Sequence, residues 1–559
     1  MTRPRTSRFP ATRLWAEPLE PRCTPATFLV TNTLDAGPGS LRVAILRANA
    51  TPAADRIAFA IPAADPGFVD ADHDGRFDPG DYWSIAPASA LPAVTHTLRI
   101  DGGAQRGPGY RGVPVIELDG TDAGAGVDGL TLRAHAGSTV RGLAVNRFDG
   151  NGIRIHGGGK HTIAGDFLGT DPSGRQDRGN RLAGLSLTDS ARNTIGGTGV
   201  GQRNLISGND LQGVHIEGDR SVANRVVGNL VGTTISGDTA LGNGTELYLG
   251  DGIRVEGGRF NVIGGRTPAE RNVVSGNFDD GIDLRDGARG NVVKGNYIGT
   301  DAAGTRPLGN GIDGVYLENA SFNLVGSLIT GDANVIAGNG YNGVFLYGDS
   351  HHNAIVGNFI GTNARRDDLG NGTVAGFADG VFLAQFGAPV GPADNAIVRN
   401  TIAFNADSAV AVAVDPAADV AGNSILSNSI FGNGGVAIDL ASDGPTPNDP
   451  GDADGGPNRL QNYPVLQAPV ADGGSGRIVR GTLSSTPRTA FRVEFFASSR
   501  AGEGEVFLGS MIVFTRADGT TPVFSFRYAA VRGKPFLTST ATSLGTGDTS
   551  EFSPAVVEV

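Results

Sequence analysis

One phrase recurs along the middle of the chain and constrains the fold more than any other feature. Its copies begin at His161 (HTIAGDFLGTDPSGRQDRGN), Asn224, Asn291 (NVVKGNYIGTDAAGTRPLGN) and Asn353, so they lie 62 to 67 residues apart. A second pair of phrases, such as NTIGG from Asn193 followed by NLISGN, lies between the copies. A fixed period of this size is typical of solenoids, in which each unit buries its apolar face only by stacking on its neighbours.

A third phrase marks the single turn of such a solenoid. Glycine followed by apolar, any and apolar residues recurs from GLTL at Gly129 to GVFL at Gly380, with spacings that alternate between shorter and longer units. The shorter unit holds three brief runs with period-two alternation, separated by Asn/Gly turns. Three strands per turn and right-handed parallel crossovers predict an all-β right-handed parallel β-helix of about 10 to 12 rungs over residues 95–445.

Composition narrows the class of protein. Glycine supplies 87 of the 559 residues, about twice its usual share of roughly 7 %. The net charge of −12, without basic stretches interleaved with aromatic residues, excludes nucleic acid as a partner. Cys23 is the only cysteine, so the sequence predicts neither an intrachain disulfide nor a cysteine-based zinc site. It contains no apolar run of transmembrane length.

The two ends of the chain depart from the repeat. Residues 1–26 carry five arginines without an apolar core of signal-peptide length, and they predict either an export segment or a disordered basic tail. Residues 27–94 are expected to form an N-terminal cap region. Residues 446–464, rich in Asp, Pro and Gly, predict a linker, and the alternating runs of 465–559 predict an Ig-like β-sandwich.

The cap region contains one helix signal. Ser40 is suited to cap a short helix that places Leu41, Ile45 and Ala48 on one face. We expect this helix to cover the first rung, whose strand edges would otherwise be open to pairing with other chains.

The cap region also contains an acidic loop, DADHDGRFDPGD. Its carboxylates match the spacing of an EF-hand-type loop, at Asp70, Asp72, Asp74, Asp78 and Asp81. Alternate carboxylates on one tight loop can surround a hard cation, so the sequence predicts calcium as a cofactor. The last carboxylate is Asp where such loops carry Glu, and proline and glycine exclude a following helix. The alternative is an ordinary Asx-rich surface loop.

The repeats resemble those of bacterial exported right-handed parallel β-helix proteins with the pectate-lyase-like fold, over roughly residues 95 to 440. PLEPRCTPA resembles the LEPR-type N-terminal segment of large exported proteins, and TFLVTNTLDAGPGSLRVAILRANA resembles the N-terminal part of secreted members of the group. The runs after residue 464 resemble their C-terminal β-sandwich module. The resemblance implies export to the cell surface or beyond by a route that is not a classical signal peptide. It leaves oligomeric state open.

Enzymes with this fold act on the outer face of one sheet with clustered carboxylates, so the densest charge cluster of the repeats is the candidate active site. In-register stacking predicts Asp283 beside Arg254, and Arg285 between Glu256 and Glu318, with Asp280 at the preceding turn. These residues would serve a polysaccharide lyase or a glycoside hydrolase. An alternating ladder of opposite charges explains the same pattern without catalysis, and it is the favoured interpretation.

A column of outward-facing residues gives the best indication of a ligand. Its last three members, Tyr316, Phe345 and Phe382, are aromatic on consecutive rungs and can stack on sugar rings. The alternative is that a neighbouring segment packs over these rings. The sequence therefore favours a non-catalytic surface or carbohydrate-recognition protein with a cell-envelope glycan or other polysaccharide as partner, and a polysaccharide lyase or hydrolase as the alternative.

Overall fold

The structure, a computed structural model, describes residues 24–135, 137–373, 378–387, 390–412, 420–473 and 476–558. Within these ranges the chain is all-β apart from one α-helix, Leu41–Asn49, and two 3-10 segments, Gly102–Gly109 and Pro457–Leu460. No helix in these ranges has the length and apolar character needed to span a bilayer. Most of the predicted export segment, including Cys23, lies outside the described residues.

Three long sheets form the body of the described chain. Sheet 1 contains 13 parallel strands: Thr27–Val30, Asp55–Phe59, Leu98–Asp101, Thr139–Arg141, Thr162–Ile163, Thr194–Gly196, Arg225–Val227, Val262–Gly264, Val292–Lys294, Leu324–Gly326, Ala354–Val356, Ala396–Val398 and Ser424–Leu426. Sheet 2 contains 11 parallel strands: Leu130–Leu132, Ile153–His156, Leu185–Thr188, Val214–Glu217, Ile253–Glu256, Ile282–Arg285, Val315–Glu318, Val344–Tyr347, Val381–Ala384, Val410–Val412 and Ile438–Leu440. Sheet 3 contains 13 strands, of which only the first pair is antiparallel: Phe68–Val69, Tyr82–Ile85, Ile116–Asp119, Leu143–Asn146, Phe167–Leu168, Leu205–Ile206, Leu230–Val231, Val273–Val274, Tyr297–Ile298, Val335–Ile336, Phe359–Ile360, Thr401–Ala403 and Ser429–Phe431.

Successive strands of the repeat region alternate among the sheets, so the chain coils as a three-sided parallel β-helix, as the sequence predicts. Ile253, Ile282 and Val315 pair in register on neighbouring rungs of sheet 2. Within one strand, Ile282 and Leu284 are fully buried in the single core that runs through the coil. The period-two alternation of the rung phrase therefore places its apolar residues inward.

Three columns of buried asparagines run along the corners of the coil. The first column, between sheets 2 and 1, contains Asn193, Asn224, Asn261, Asn291, Asn323, Asn353, Asn395 and Asn423. The second, between sheets 1 and 3, contains Asn204, Asn229, Asn272, Asn296, Asn334, Asn358, Asn400 and Asn428. The third, between sheets 3 and 2, contains Asn180, Asn209, Asn243, Asn277, Asn310, Asn339, Asn371 and Asn405.

Asn291 shows how each column satisfies its buried amides. Its Oδ1 accepts hydrogen bonds from the backbone N (2.9 Å) and Nδ2 (3.0 Å) of Asn261. Its Nδ2 donates to Oδ1 of Asn323 (3.0 Å) and to the carbonyl oxygen of Gly258 (2.9 Å). The amide therefore joins three rungs and leaves neither its oxygen nor its nitrogen without a partner.

The coil begins earlier than the sequence predicts. The strands Thr27–Val30 and Asp55–Phe59 already belong to sheet 1, so part of the predicted cap region 27–94 forms rungs. These first rungs lack the asparagine phrases, which is why the repeat does not reveal them. The predicted helix is present: Ser40 Oγ accepts a bond from Val43 N (3.4 Å), and the buried face joins the core at the first strands.

Four excursions of the chain cover the outer face of sheet 3. They follow the GTD or equivalent phrase of the longer rungs and stack on one another, with Ile235 N donating to Gly174 O (3.0 Å) and Ala302 N to Gly237 O (2.8 Å). Asn363 Nδ2 continues the stack by donating to Gly304 O (2.9 Å). Outward-facing apolar residues of sheet 3 are buried beneath them: Phe167, Leu205, Leu230 and Val273.

Two antiparallel sheets follow the linker, within the region predicted as an Ig-like β-sandwich. One contains Val465–Leu466, Val470–Ala471, Gly476–Thr482 and Phe524–Ala529, and the other Ala490–Ser498, Val506–Phe514, Phe536–Ser543 and Val556–Val557. Both contribute to one core. Carboxylates from this unit accept backbone N–H groups of the last rungs: Glu494 binds Ser427 N (2.7 Å), and Glu551 binds Leu440 N (3.0 Å). The unit thereby closes the end of the coil.

We predict that the asparagine columns contribute strongly to stability. Asn291→Ala removes an amide that makes four buried bonds, so it should lower the free energy of unfolding by about 3 kcal/mol or more, measured by urea or thermal denaturation. The control is Asn319→Ala, at an exposed residue whose Oδ1 accepts a hydrogen bond from Asp349 N at 3.0 Å. That change should cost about 1 kcal/mol or less. Equal losses in the two variants would contradict the prediction.

Candidate functional site

The central residues of the sheet 2 strands point outward and stack in register. From the first rung to the last they are Thr131, Arg154, Ser186, His215, Arg254, Asp283, Tyr316, Phe345, Phe382, Ala411 and Asp439. The register predicted from the rung phrase is therefore correct over this face. Its middle section places charged residues directly beside aromatic ones.

Five aspartates form an acidic cluster on three consecutive rungs of sheet 2: Asp251, Asp279, Asp280, Asp283 and Asp313. All five are buried, and Asp279 is the most accessible with 8 % of its surface exposed. Carboxylate oxygens of Asp251, Asp279 and Asp280 lie within 4.8 Å of one another. The sequence identified Asp280 and Asp283, but it missed Asp279, whose signal was the doubled aspartate in the phrase FDDG.

Three members of the cluster also hold the turn that precedes each strand. Asp280 Oδ1 accepts the N–H of Asp313 (2.8 Å), and Asp313 Oδ1 accepts the N–H of Asn342 (2.8 Å). Asp251 accepts the N–H of Asp280 (3.3 Å) in the same way. These side chains therefore hold the turn on successive rungs. Because Asn342 fills it as well, the turn itself does not require a negative charge.

Two arginines lie across the cluster. Arg254 Nε is 2.6 Å from Asp251 Oδ2 and 3.0 Å from Asp283 Oδ2. Arg285 Nε donates to Asp283, and its Nη1 is 3.6 Å from Glu318 Oε2. The predicted alternation of charge is therefore present, but Asp283 is fully buried beneath the arginines instead of facing solvent.

Burial and the proximity of other carboxylates raise the pKa values of the acidic cluster. Burial, reinforced by the charge of Asp251, raises the pKa of Asp279 to about 6. Burial raises the pKa of Asp313 to about 7 and holds the pKa values of Asp280 and Asp283 well above the usual range. Five carboxyl groups face only two guanidinium groups here, so full ionisation would leave buried charges without partners. The carboxyl groups of the cluster therefore remain protonated at unusually high pH.

An aromatic cluster continues the same face on the next rungs. It consists of Tyr316, Phe345, Tyr347, Phe382 and Phe386. The ring centroids of Tyr316 and Phe345 are 5.3 Å apart, and those of Phe345 and Phe382 are 5.2 Å apart in a stacked arrangement. The guanidinium carbon of Arg285 lies 5.6 Å from the centroid of the Tyr316 ring. The acidic and aromatic clusters therefore form one continuous surface.

The accessible rings differ from those predicted. Phe382 is only 1 % exposed, because Phe386, from the segment after its own strand, packs edge-on against it at 5.7 Å. Phe386 is itself 45 % exposed, and Tyr316, Phe345 and Tyr347 are partly exposed. Phe382 thus supports the ring surface from below. The sequence missed Phe386 because it lies outside the repeating phrase.

The acidic loop of the cap region brings its carboxylates together in two groups. Oxygens of Asp72, Asp74 and Asp78 lie within 4.8 Å of one another, as do those of Asp70, Asp72 and Asp81. Both oxygens of Asp70 and of Asp81 accept backbone N–H bonds, so these two residues hold the loop in shape. The first group is exposed or half-buried, and it fits a hard cation better than the full predicted set.

Comparison with known proteins gives a distant likeness in fold. No protein-family profile and no curated protein matches the sequence. The enzymatically active domain of tailspike protein 2 from bacteriophage CBA120 is 10 % identical over 85 % of this chain and 71 % of its own, with a TM-score of 0.36. The periplasmic alginate epimerase AlgG is 12 % identical over 66 % of this chain and 77 % of its own, with a TM-score of 0.25. An alginate lyase from Paenibacillus sp. str. FPU-7 is 13 % identical over 74 % of this chain and 99 % of its own, with a TM-score of 0.23.

We predict that the acidic cluster destabilises the fold as pH rises. A carboxyl group whose pKa is higher in the folded state stabilises the fold while the pH is below its pKa in the unfolded chain, about 4. This stability is lost as the pH rises through the pKa in the folded state, which is about 7 for Asp313. Asp313→Asn keeps an acceptor oxygen for the turn and should leave the melting temperature unchanged near pH 4 but raise it near pH 8. Exposed Asp286→Asn is the control and should give no such difference. A constant offset for Asp313→Asn would contradict the prediction.

We also predict that the acidic loop binds calcium. Adding about 1 mM calcium to the metal-free protein should release or absorb heat in a calorimetric titration and raise the melting temperature. Asp78→Asn should weaken both effects because it removes one carboxylate from the exposed group. Asp518→Asn, at an exposed aspartate in the C-terminal unit, should behave as the parent protein does. Identical titrations for the parent and Asp78→Asn would rule out this site.

Proposed function

We propose that the chain is an exported protein that binds a polysaccharide along the outer face of sheet 2. The observation that carries this proposal is the direct continuation of the acidic cluster by the aromatic cluster on consecutive rungs. Tyr316 joins the two, since its strand pairs with that of Asp283 on one side and that of Phe345 on the other. A flat sheet face with this order of side chains suits a long, repetitive ligand.

The chemistry of the two clusters indicates how such a ligand would be held. Exposed rings of Tyr316, Phe345 and Phe386 offer apolar faces for the C–H faces of sugar rings. Carboxyl and carboxylate oxygens, above all those of Asp279, the least buried of the five, offer hydrogen-bond partners for sugar hydroxyls. Because carboxyl groups outnumber guanidinium groups, the surface favours a neutral glycan over a polyanionic one.

A second candidate function, glycoside hydrolysis, is favoured by one specific observation. Asp279 and Asp280 each offer an oxygen within 4.8 Å of the other, so two carboxyl groups lie side by side, as the two catalytic carboxyl groups of a glycosidase do. Asp280, whose pKa burial holds well above the usual range, would be the general acid. Asp279, with its pKa near 6, would be ionised at neutral pH and could act as the nucleophile.

A lyase mechanism has less support from the same geometry. A lyase needs a basic side chain that can accept a proton from the sugar. Arg254 and Arg285 are the cations nearest to the cluster, and both are engaged with the buried Asp283. The positive charge of both arginines is therefore directed toward the buried Asp283 and not toward a bound sugar. The arginines serve better to hold the acidic cluster together than to remove a proton.

Export is the remaining part of the proposal. It is supported by the resemblance of PLEPRCTPA and of the following segment to the N-terminal parts of large exported β-helix proteins. A long rod closed by a terminal unit also suits a protein that works at a cell surface. Oligomeric state plays no part in this proposal.

We predict that the aromatic cluster contributes directly to glycan binding. Tyr316→Ala combined with Phe345→Ala should weaken binding of the best neutral polysaccharide in a glycan panel by about tenfold or more. The melting temperature should change little, since both rings are partly exposed. Phe514→Ala, at a ring that is 65 % exposed on the C-terminal unit, is the matched control and should bind as the parent protein does.

Two other results would change the assignment. A large fall in melting temperature with unchanged binding would show that the rings serve packing only. Release of reducing ends from the bound polysaccharide by the parent protein, lost in Asp279→Asn while binding persists, would establish the hydrolase in place of the binding protein.

A further inference from the structure

A second surface lies at the corner between sheets 2 and 1, away from the acidic cluster. The residues immediately before His161 and before the asparagines of the first column from Asn193 to Asn395 lie along this corner with left-handed backbone, at φ values between 50° and 70°. The members are Lys160, Arg192, Ala223, Phe260, Gly290, Phe322, His352 and Asp394. We give the name corner ridge to the surface formed by Phe260, Phe322 and His352 of this column together with Arg259, Arg289 and His351, each of which directly precedes a residue of the column.

Two phenylalanines of the ridge occupy positions that suit glycine better. Phe260 is 58 % exposed at φ 56°, and Phe322 is 47 % exposed at φ 57°. A bulky residue is strained in left-handed backbone, and Gly290, in the rung between them, adopts it without that cost. Exposure removes the usual benefit of burying a large ring. Folding alone therefore does not account for aromatic residues at these two positions.

The rings of the ridge form a nearly continuous band across four rungs. The ring of Phe260 lies over Gly290, where a Cβ atom would approach it to 2.7 Å. Phe322 stacks on His352 with ring centroids 4.9 Å apart and an angle of 22° between the planes. At about 4.8 Å per rung, the band is roughly 14 Å long, which is enough for two or three sugar rings.

Two arginines, Arg259 and Arg289, give the ridge positive charge. The guanidinium carbon of Arg289 lies 4.9 Å from the centroid of the Phe322 ring. Arg259 Nε donates to the backbone oxygen of Asp219 (3.0 Å). Within the described part of the chain, neither arginine forms an ion pair with a carboxylate. Exposed carboxylates lie nearby as well: Asp219, Asp286 and Asp349 follow the ends of sheet 2 strands, and Asp394 lies in the column one rung beyond His352. The positive charge of the ridge is therefore confined to Arg259 and Arg289.

We propose that the corner ridge is a separate binding site for an anionic polysaccharide whose sugars carry carboxylate or sulfate groups. The rings of Phe260 and Phe322 stack against sugar faces. The planar guanidinium groups of Arg259 and Arg289 bind the acidic substituents, for which their donor geometry is suited. This site does not rest on the function proposed for sheet 2, and its charge selects a different class of glycan.

Affinity electrophoresis tests the proposal with three probes: polygalacturonate, dextran sulfate and uncharged dextran. The parent protein should be retarded by polygalacturonate, by dextran sulfate or by both, but not by dextran, and retardation should weaken as salt rises. The two anionic probes distinguish carboxylate from sulfate recognition. Phe260→Ala combined with Phe322→Ala should reduce retardation about tenfold, and Ala223 shows that the column accepts alanine.

Three further variants make the result decisive. Arg289→Gln should weaken binding of the anionic probe, whereas Arg192→Gln, an exposed arginine of the same column outside the ridge, should not. Tyr316→Ala combined with Phe345→Ala should leave retardation intact, because those rings belong to sheet 2. The proposal is overturned if neither anionic probe retards the parent protein, if dextran retards the sheet 2 variant as strongly as the anionic probes do, or if the sheet 2 variant loses retardation while the ridge variant keeps it.

Discussion

The asparagine columns are the constraint on which the rest of the molecule depends. Each buried amide uses its oxygen for the rung before it and its nitrogen for the rung after it, so the rungs stack in only one register. An amide that lost its partner would leave a buried donor or acceptor unsatisfied, at a cost of roughly 1 to 3 kcal/mol. The columns thereby hold every outward-facing side chain of sheet 2 directly beside its neighbours on adjacent rungs.

This register also brings the turn aspartates of consecutive rungs together in the acidic cluster. The turn column accepts neutral residues at Asn151 and Asn342, yet the three rungs that carry Asp251, Asp280 and Asp313 are consecutive and all carry carboxylates. Adjacent burial of like charges raises their pKa values and lowers stability, so the fold gains nothing from it. Perturbed carboxyl groups concentrated at one place are typical of functional sites.

The sequence predicts the positions of residues that belong to the repeating phrases, and it does not predict those of residues outside them. The rung phrase correctly placed Arg254 beside Asp283 and the three aromatic residues on consecutive rungs, because pairing follows the period. It could not show that Phe386 covers Phe382, since that ring comes from a segment outside the period. It also missed the first rungs, which close without asparagine columns. The sequence does not single out Phe260 and Phe322, because the residue before each asparagine of the first column varies from rung to rung. Only the backbone angles reveal that the two residues share one position.

The excursions from the longer rungs decide which sides of the coil can meet a ligand. They bury outward-facing residues of sheet 3, including Phe167 and Leu230, and in the later rungs Val335, under a layer of the chain's own residues. Sheet 3 therefore has no bare face along these rungs. Among the described residues, sheet 2 carries no comparable stack of excursions. The corner ridge lies at the edge of sheet 2 that adjoins sheet 1. An acidic face and an edge that carries Arg259 and Arg289 thus lie side by side on one rigid coil, at a separation fixed by the same asparagine columns that set the register.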